Sequence, residues 1–305
     1  MDNRIWALLA ATAASAIYGI NHTLAKSVMP VYIQPFGFIL LRVTGAGILF
    51  WLLSLFVKRE RILKRDYPRL LACAFLGMFV NMLAFFEGLS LSTPINSSVV
   101  ITLSPVMLLV LSIVFLKEKV GWKKYLGIGI GLGGALVLIL FGSQQQQNAP
   151  NIPLGNLMFV LNASAYAGYL ILVKPLTVRY HVITLMKWLF LFGTLFNLPF
   201  TFSAFSQVSW SALPTEVILI FIYVVLGTTF LTYLLNIYAL KTLKASTIGA
   251  FIYLQPLIAV LFATVMGADR LTPVRAIAGL LIFFGVYLSS RKSKEPSLKN
   301  QKINS

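Results

Sequence analysis

Long apolar stretches, separated by short polar or basic segments, run through the whole chain. They predict spans at Ile5–Ala25, Gln34–Val57, Tyr67–Leu89, Pro94–Leu116, Trp122–Phe141, Leu154–Val173, Ile183–Phe205, Pro214–Leu240, Ala245–Met266 and Pro273–Ser290. Each is close to the roughly 20 residues that a helix needs to cross the hydrocarbon core. Because the stretches are long and apolar on all sides, helices are favoured over a β-barrel. The pattern predicts an all-α polytopic membrane protein with ten transmembrane helices.

The composition excludes two other classes of protein. Of 305 residues, 58% are hydrophobic and only 11% are charged, against about 25% charged in a typical soluble domain. One core of this size cannot cover so much apolar surface, and a disordered chain would be far more polar. Cys73 is the single cysteine, so an internal disulfide framework and a cysteine-ligated zinc site are also excluded.

The first span has a second interpretation. With Arg4 before an alanine-rich stretch, it resembles a signal peptide. Its apolar region is longer than such peptides usually carry, and it has a counterpart later in the chain. We therefore expect it to be retained as a transmembrane helix.

The net charge of +17 is distributed unevenly between the two sides of the predicted spans. If the N-terminus is inside, 20 of the 25 basic residues lie in inner segments, and Lys26, Arg270 and Arg275 lie outside. Arg42 and Lys187 fall within spans or at their edges. This bias predicts cytoplasmic termini and a multi-pass protein of the cytoplasmic membrane. The dispersed clusters argue against nucleic acid as a partner, and recognition of lipid headgroups is the other use of such charge.

An uncharged, glutamine-rich stretch divides the chain into two halves. We predict a first five-helix repeat at 1–141, an external linker at 142–153, a second repeat at 154–290 and a basic cytoplasmic tail at 291–305. Offsets of 148 or 151 residues align Tyr18 with Tyr166, Lys26 with Lys174, Pro105 with Pro256 and Gly134 with Gly285. Because five is odd, the second repeat must enter the membrane from the opposite side. Such inverted repeats place a site near the midplane and permit alternating access.

Several short motifs in this order give the chain a family likeness. They are Arg42 early in the second span, Thr102-Leu103-Ser104-Pro105, Leu116-Lys117-Glu118-Lys119-Val120, Gln255-Pro256 and Asp269-Arg270. Over Trp6–Ser290 the chain resembles the EamA family of the drug/metabolite transporter superfamily. The resemblance implies a ten-helix exporter or metabolite carrier with a central cavity; family substrates include amino acids, other metabolites and drugs. Arg42 has no clear partner in the second half, where Lys187-Trp188 is the nearest candidate.

Polar and aromatic residues inside the apolar spans are candidates to line that cavity, because a polar group at membrane depth needs a partner or water. The candidates are Tyr18, Asn21, His22, Asn81, Phe85, Asn162, Tyr166, Tyr169, Thr232, Tyr233, Asn236 and Gln255. Aromatic rings offer apolar contact and a cation-binding face, and amides can bind amino or carboxyl groups. The alternative for each residue is an interhelical hydrogen bond.

Charged residues within spans are sharper candidates. Arg42 and Glu87 are charge or coupling candidates that could neutralise each other, and Glu87 or His22 is our hypothesis for a proton-coupling site. For Lys26 we favour a side chain that reaches outward to the membrane surface.

Helix-breaking and small residues complete the list. Pro105 and Pro256 lie inside predicted helices, where they remove a hydrogen bond and act as hinges or as fixed kinks. The glycines of the fifth span have overlapping G-x-x-x-G spacings, which favour close helix packing within one chain or in a homodimer.

Motifs for other chemistry are missing from the sequence. We find no phosphate-binding loop, metal-ligand spacing or acid–base pair, and so predict no catalytic residues, metal or cofactor. The residues favour a secondary transporter that moves a small metabolite, amino acid or drug-like solute, with export favoured by the resemblance. The alternatives are an intramembrane lipid-modifying enzyme and a pore.

Overall fold

The computed structural model describes residues 3–118, 120–142, 148–243, 251 and 253–290, and these form helices and turns without strands. The first seven α-helices are α1 Asn3–Val28, α2 Pro35–Leu53, α3 Tyr67–Ala74, α4 Asn81–Leu91, α5 Pro94–Ile101, α6 Ser104–Leu116 and α7 Trp122–Phe141. The remaining six are α8 Ile152–Arg179, α9 Val182–Ser206, α10 Thr215–Ile222, α11 Thr232–Thr242, α12 Leu254–Val265 and α13 Pro273–Ser290.

Eight helical segments are long and apolar enough to cross a membrane, among the residues that the structure describes. They are Pro35–Phe56, Lys64–Leu91, Pro94–Leu116, Trp122–Phe141, Ile152–Arg179, Val182–Ser206, Thr215–Asn236 and Pro273–Ser290. The two other predicted spans correspond to α1, of 26 residues, and to the shorter α12, of 12. The first residues of the predicted ninth span, 245–250, lie outside the described residues.

Two spans contain a stretch of π-helix. Phe75–Val80 joins α3 to α4, and Tyr223–Leu231 joins α10 to α11. A π-turn widens the helix locally and is often found at functional sites. In the first of them Gly77 lies against the ring of Tyr169, since a Cβ there would be 2.7 Å from a ring carbon. The missing side chain lets α8 approach this span closely.

The sequence pattern places Pro105 and Pro256 inside continuous helices, and this is wrong: each stands near the start of a helix. The helix α5 ends at Ile101, and Pro105 stands in the first turn of α6. Pro256 likewise stands in the first turn of α12, which begins at Leu254. Proline is tolerated there because the first amides of a helix have no intrahelical acceptor. The hinge role of both prolines stays a prediction.

Interhelical packing joins residues that are distant in the chain. The helix α7 packs on α13, α2 on α9, α1 on α11 and α12, and α8 on α4 and α6. The glycine face of α7 explains the first pair, because a Cβ on Gly127 would lie 2.6 Å from the Ser289 amide. A Cβ on Gly134 would lie 2.9 Å from the Ala278 carbonyl oxygen, whereas Gly129 has no atom within 4 Å of such a Cβ. Close glycine packing therefore occurs within the chain, and a homodimer stays a prediction.

Candidate functional site

Arg42 lies in α2 and extends toward the middle of the helix assembly. Its Nε donates a hydrogen bond to Oγ1 of Thr229, at 3.2 Å, and its guanidinium carbon is 5.7 Å from the ring centroid of Phe86. Neither of its Nη groups has a hydrogen-bond partner among the described residues, and Glu87 forms no ion pair with it there. A guanidinium offers five N–H donors. The N–H groups on Nη1 and Nη2, four of the five donors, thus have no acceptor among the described residues.

His22 of α1 lies close to this arginine. Nδ1 of His22 is 2.6 Å from Oγ of Ser97, so one of these atoms donates to the other. The His22 ring meets the ring of Phe85 edge-on, with centroids 5.6 Å apart, and it interacts electrostatically with Arg42. The neighbouring Asn21 is buried, and its Oδ1 has no partner in the described part of the chain.

Tyrosines from two helices meet in the same region. The hydroxyl of Tyr18 is 3.1 Å from the Thr232 hydroxyl, which also donates to the Thr228 carbonyl. Tyr18 interacts electrostatically with both Arg42 and Tyr166. Tyr166 is 41% exposed, and its ring is 5.9 Å from that of the buried Tyr169. The side chains from α1, α2, α8 and α11 therefore face one another.

Asn81 and Asn162 take the interhelical alternative. Nδ2 of Asn81 donates to the Asn162 carbonyl at 3.1 Å, and Nδ2 of Asn162 donates to the Asn81 carbonyl at 2.8 Å. This reciprocal pair connects α4 to α8, so one N–H of each side-chain amide is engaged between the helices. Asn236 and Gln255 are half-buried, while the side chain of Tyr233 lies outside the described residues.

Glu87 and Lys26 differ from what the sequence led us to expect. The Glu87 carboxylate, half-buried near the end of α4, has no hydrogen bond or ion pair in the part that the structure describes. Lys26 does not reach outward: its Nζ donates to the carbonyls of Leu89 and Ser90, each at 2.7 Å. The last carbonyls of a helix lack intrahelical donors. Lys26 therefore caps α4.

A buried ion pair escaped the sequence analysis. Nη1 of Arg275 donates to Oδ1 of Asp269 at 2.5 Å, and both side chains are buried. Oδ2 of Asp269 accepts the Ile95 amide at the start of α5. Nε and Nη2 of Arg275 are buried without partners in the described chain. The Asp269-Arg270 motif is the signal that the sequence offers, while the charge pattern alone assigns Arg275 to an outer loop.

A second ion pair joins the start of α3 to the end of α8. Asp66 accepts hydrogen bonds from Nη1 of Arg179, at 2.8 Å, and from the Tyr180 hydroxyl, at 2.7 Å. Burial raises the pKa of the Tyr180 phenol, and the neighbouring Asp66 carboxylate raises it further. Tyr180 therefore keeps its proton and remains a donor at neutral pH.

Two cavities lie along α2 and α9, and none of the predicted site residues lines either of them. Their volumes are about 380 and 280 Å³. Trp51 and Leu55 border both. No group of three or more His, Cys, Asp or Glu suited to a metal occurs within the described ranges.

Comparisons with known proteins show that the chain is similar to membrane transporters. The model of the EamA-like transporter family matches residues 5–140 and again residues 153–291. The uncharacterized transporter YetK of Bacillus subtilis is 25% identical, covering 97% of this chain and 90% of the relative. An uncharacterized transporter of Archaeoglobus fulgidus is 29% identical, covering 94% and 99%.

Two further matches bear on function and on fold. A probable terminal-alkyne amino-acid exporter of Streptantibioticus cattleyicolor is 25% identical, covering 78% of this chain and 77% of the relative. A solved crystal structure, 20% identical, superposes with a TM-score of 0.61 over 93% of this chain and 96% of the other. That last match concerns the fold alone.

Proposed function

The chain belongs to the EamA-like transporter family, and we propose that it is a secondary carrier that exports a small carboxylate-bearing metabolite, such as an amino acid, by alternating access. Transport and a multi-pass place in the bilayer follow from the family and its transporter relatives. The direction, the mechanism and the chemistry of the solute are our proposal.

The proposed architecture is ten transmembrane helices in two inverted repeats, 1–141 and 154–290, with cytoplasmic termini in the cytoplasmic membrane. Three observations support it. The family model matches once in each half. A π-helical stretch occurs in the third and the eighth predicted spans. A helix also begins just before Pro105 and again just before Pro256.

Arg42 is the observation that carries the choice of solute. A charge near the bilayer centre costs at least about 2.5–3.5 kcal/mol on insertion scales, yet this one has no carboxylate partner among the described residues. Its planar fork matches a carboxylate in a bidentate geometry. The buried Oδ1 of Asn21 offers an acceptor for an amino group, and Phe85 and Tyr166 offer apolar contact.

Counterflow in proteoliposomes tests this proposal. Purified protein is reconstituted with unlabelled solute inside, and entry of labelled amino acids, nucleosides or cationic drugs is measured. We expect trans-stimulation by the amino acids. Arg42→Gln should lower it at least tenfold, whereas Arg42→Lys should keep part of it because the positive charge remains. The matched control is Arg270→Gln, since Arg270 is exposed.

Other outcomes would contradict the proposal in distinguishable ways. Chemical alteration of the label would indicate an enzyme, and entry that is independent of internal solute would indicate a pore. Trans-stimulation by cationic drugs that survives Arg42→Gln would support a carrier but would contradict a solute bound through its carboxylate.

A further inference from the structure

An apolar groove runs along the outside of the helix pair α2 and α9. It has a volume of about 380 Å³, and its walls include Ile48, Leu52, Leu55 and Leu191. Neither wall carries a charged side chain. A groove of this kind suits a hydrocarbon chain rather than a polar solute.

A second, polar cavity continues the groove beyond the end of α2. The two share Trp51 and Leu55, and the polar cavity, of about 280 Å³, adds Arg59, Arg61 and Lys187. A single acid, Glu60, lines the same cavity as these three cations. The region therefore combines an apolar slot with a strongly basic end.

The charges of this polar cavity favour an anion. Oε2 of Glu60 already accepts the amide of His181 at 2.7 Å, so this carboxylate is engaged at the start of α9. Nζ of Lys187 is held 4.9 Å from the ring centroid of Trp51. A cation over an indole face is oriented by the ring quadrupole. The ammonium is thus positioned while the guanidinium groups of Arg59 and Arg61 stay exposed.

The location of the cavity fits a membrane surface. Trp51 lies three residues before the last turn Ser54–Phe56 of the span, and the segment that follows carries several basic residues. Tryptophan is enriched at the interface between membrane and water. Basic pockets between transmembrane helices are known to bind anionic headgroups.

We propose that this site binds an anionic phospholipid. One acyl chain lies in the groove between α2 and α9, and the phosphate lies among Arg59, Arg61 and Lys187. The charge complementarity selects an anionic headgroup, and the continuity of the two cavities selects a lipid over free phosphate. This site is separate from Arg42 and does not depend on the proposed solute.

Native mass spectrometry of the purified full-length protein tests the proposal. The probe is dioleoyl phosphatidylglycerol, compared with dioleoyl phosphatidylcholine, which has the same acyl chains. We expect the anionic lipid to be retained at least fivefold more strongly. The triple variant Arg59→Gln/Arg61→Gln/Lys187→Gln should abolish that difference. The control triple Lys64→Gln/Lys123→Gln/Lys124→Gln removes the same charge elsewhere and should preserve it.

Two further arms separate the alternatives. Ile48→Trp fills the groove and should weaken binding of the anionic lipid, while millimolar glycerol 3-phosphate should not displace it. If the triple variant does not yield folded protein, Lys187→Gln and Lys64→Gln replace the two triples.

Any of four results overturns the proposal. They are equal retention of both lipids, equal loss in both triple variants, displacement by glycerol 3-phosphate, and a dimer that dissociates when the groove is filled. The last would identify the groove as an interface between two copies of the chain.

Discussion

Two ion pairs lie at opposite ends of the molecule, and they differ in their access to water. The span from α3 to α4 runs from beside Asp66 to Leu91, so Asp66 and the start of α5 at Pro94 are at opposite ends. At one end Arg179 keeps 44% of its side chain exposed. At the other, Asp269 and Arg275 are almost fully buried. We therefore expect burial, rather than the type of pair, to set how much each contact contributes to stability.

The buried pair has a second consequence for movement. Asp269 connects the start of α5 to the loop before α13, because it accepts the Ile95 amide as well as the Arg275 guanidinium. Taking both charges out of water carries a desolvation penalty, and two Arg275 donors stay unpaired among the described residues. Opening this end would return the charges to water. In the alternating access proposed above, this contact would therefore hold this end closed and still allow it to open.

The largest expected effect comes from removing one partner of the buried pair. Asp269→Ala should lower the free energy of unfolding by about 3–5 kcal/mol, because Arg275 is left charged and buried. Equilibrium unfolding in mixed micelles measures this. The double variant Asp269→Ala/Arg275→Met should recover most of the loss. A double variant as unstable as the single one would contradict the role given to the unpaired charge.

A milder change at the same end should alter its opening. The single native cysteine, Cys73, is buried, so a cysteine introduced at the buried Ser98 of α5 can report access of water. We expect Asp269→Asn to raise the rate at which Ser98→Cys reacts with a charged thiol reagent several-fold. Arg179→Gln is the matched control, since it acts at the opposite end. Equal rates in all backgrounds would show that Asp269 does not hold this end closed.

At the Asp66 end, the neutral donor Tyr180 should contribute more to stability than the charged donor Arg179. Tyr180→Phe should cost about 0.5–1.5 kcal/mol, because the buried Asp66 loses a hydrogen bond. The folded-state pKa of Tyr180 is raised, so this contribution is complete below the ordinary tyrosine pKa of about 10 and is lost at higher pH. Unfolding of both proteins from pH 7 to 11 measures it. A difference that already disappears below pH 9 would contradict this assignment.

A smaller effect is expected from the exposed arginine itself. Arg179→Gln should lower the free energy of unfolding by about 0.2–1 kcal/mol, since water and salt screen the pair. The loss should shrink as salt is raised, whereas the loss from Asp269→Ala should not. Unfolding at low and high salt tests this. If the loss of stability in Arg179→Gln does not depend on salt, Arg179 behaves like the buried pair. The two ion pairs would then not differ in their access to water and salt.

Much of the fold could be predicted because a bilayer leaves the backbone few choices. Helices satisfy all their hydrogen bonds internally, so apolar length alone located segments such as Pro94–Leu116 and Trp122–Phe141 at their observed bounds. The π-helical stretch Phe75–Val80 could not be found in this way. In a segment that is apolar on every side, one extra residue per turn leaves no mark in the pattern.

The candidate site was predictable in residue type but not in pairing. The sequence singles out Asn81 and Asn162 as polar groups that need either a cavity or a partner, and only the packing of α4 on α8 shows that they bond to each other. Arg275 illustrates the opposite error. A basic residue near a helix end is explained well enough by membrane orientation, so nothing in the sequence alone indicated that Asp269 would bury it.

The smallest effect on stability is expected for the other acid at the Asp269 end. Glu87 is half-buried and has no ion pair among the described residues, unlike Asp269. Glu87→Gln should change the free energy of unfolding by no more than about 0.5 kcal/mol, because no partner loses its charge. If Glu87 is the proton-coupling site, this variant should lose uptake driven by a pH gradient and keep counterflow at equal pH.

Comparing His22→Gln with Glu87→Gln assigns the coupling group. If a side chain carries the coupled proton, a variant in which that side chain can no longer titrate must lose gradient-driven uptake. His22 already shares a hydrogen bond with Ser97, so its replacement should also lower stability, which Glu87→Gln should not. Gradient-driven uptake that survives Glu87→Gln but not His22→Gln would transfer the role to His22. Uptake that survives both substitutions would exclude proton coupling through either group. A Glu87→Gln variant as unstable as Asp269→Ala would instead show that both acids at this end stabilise the fold.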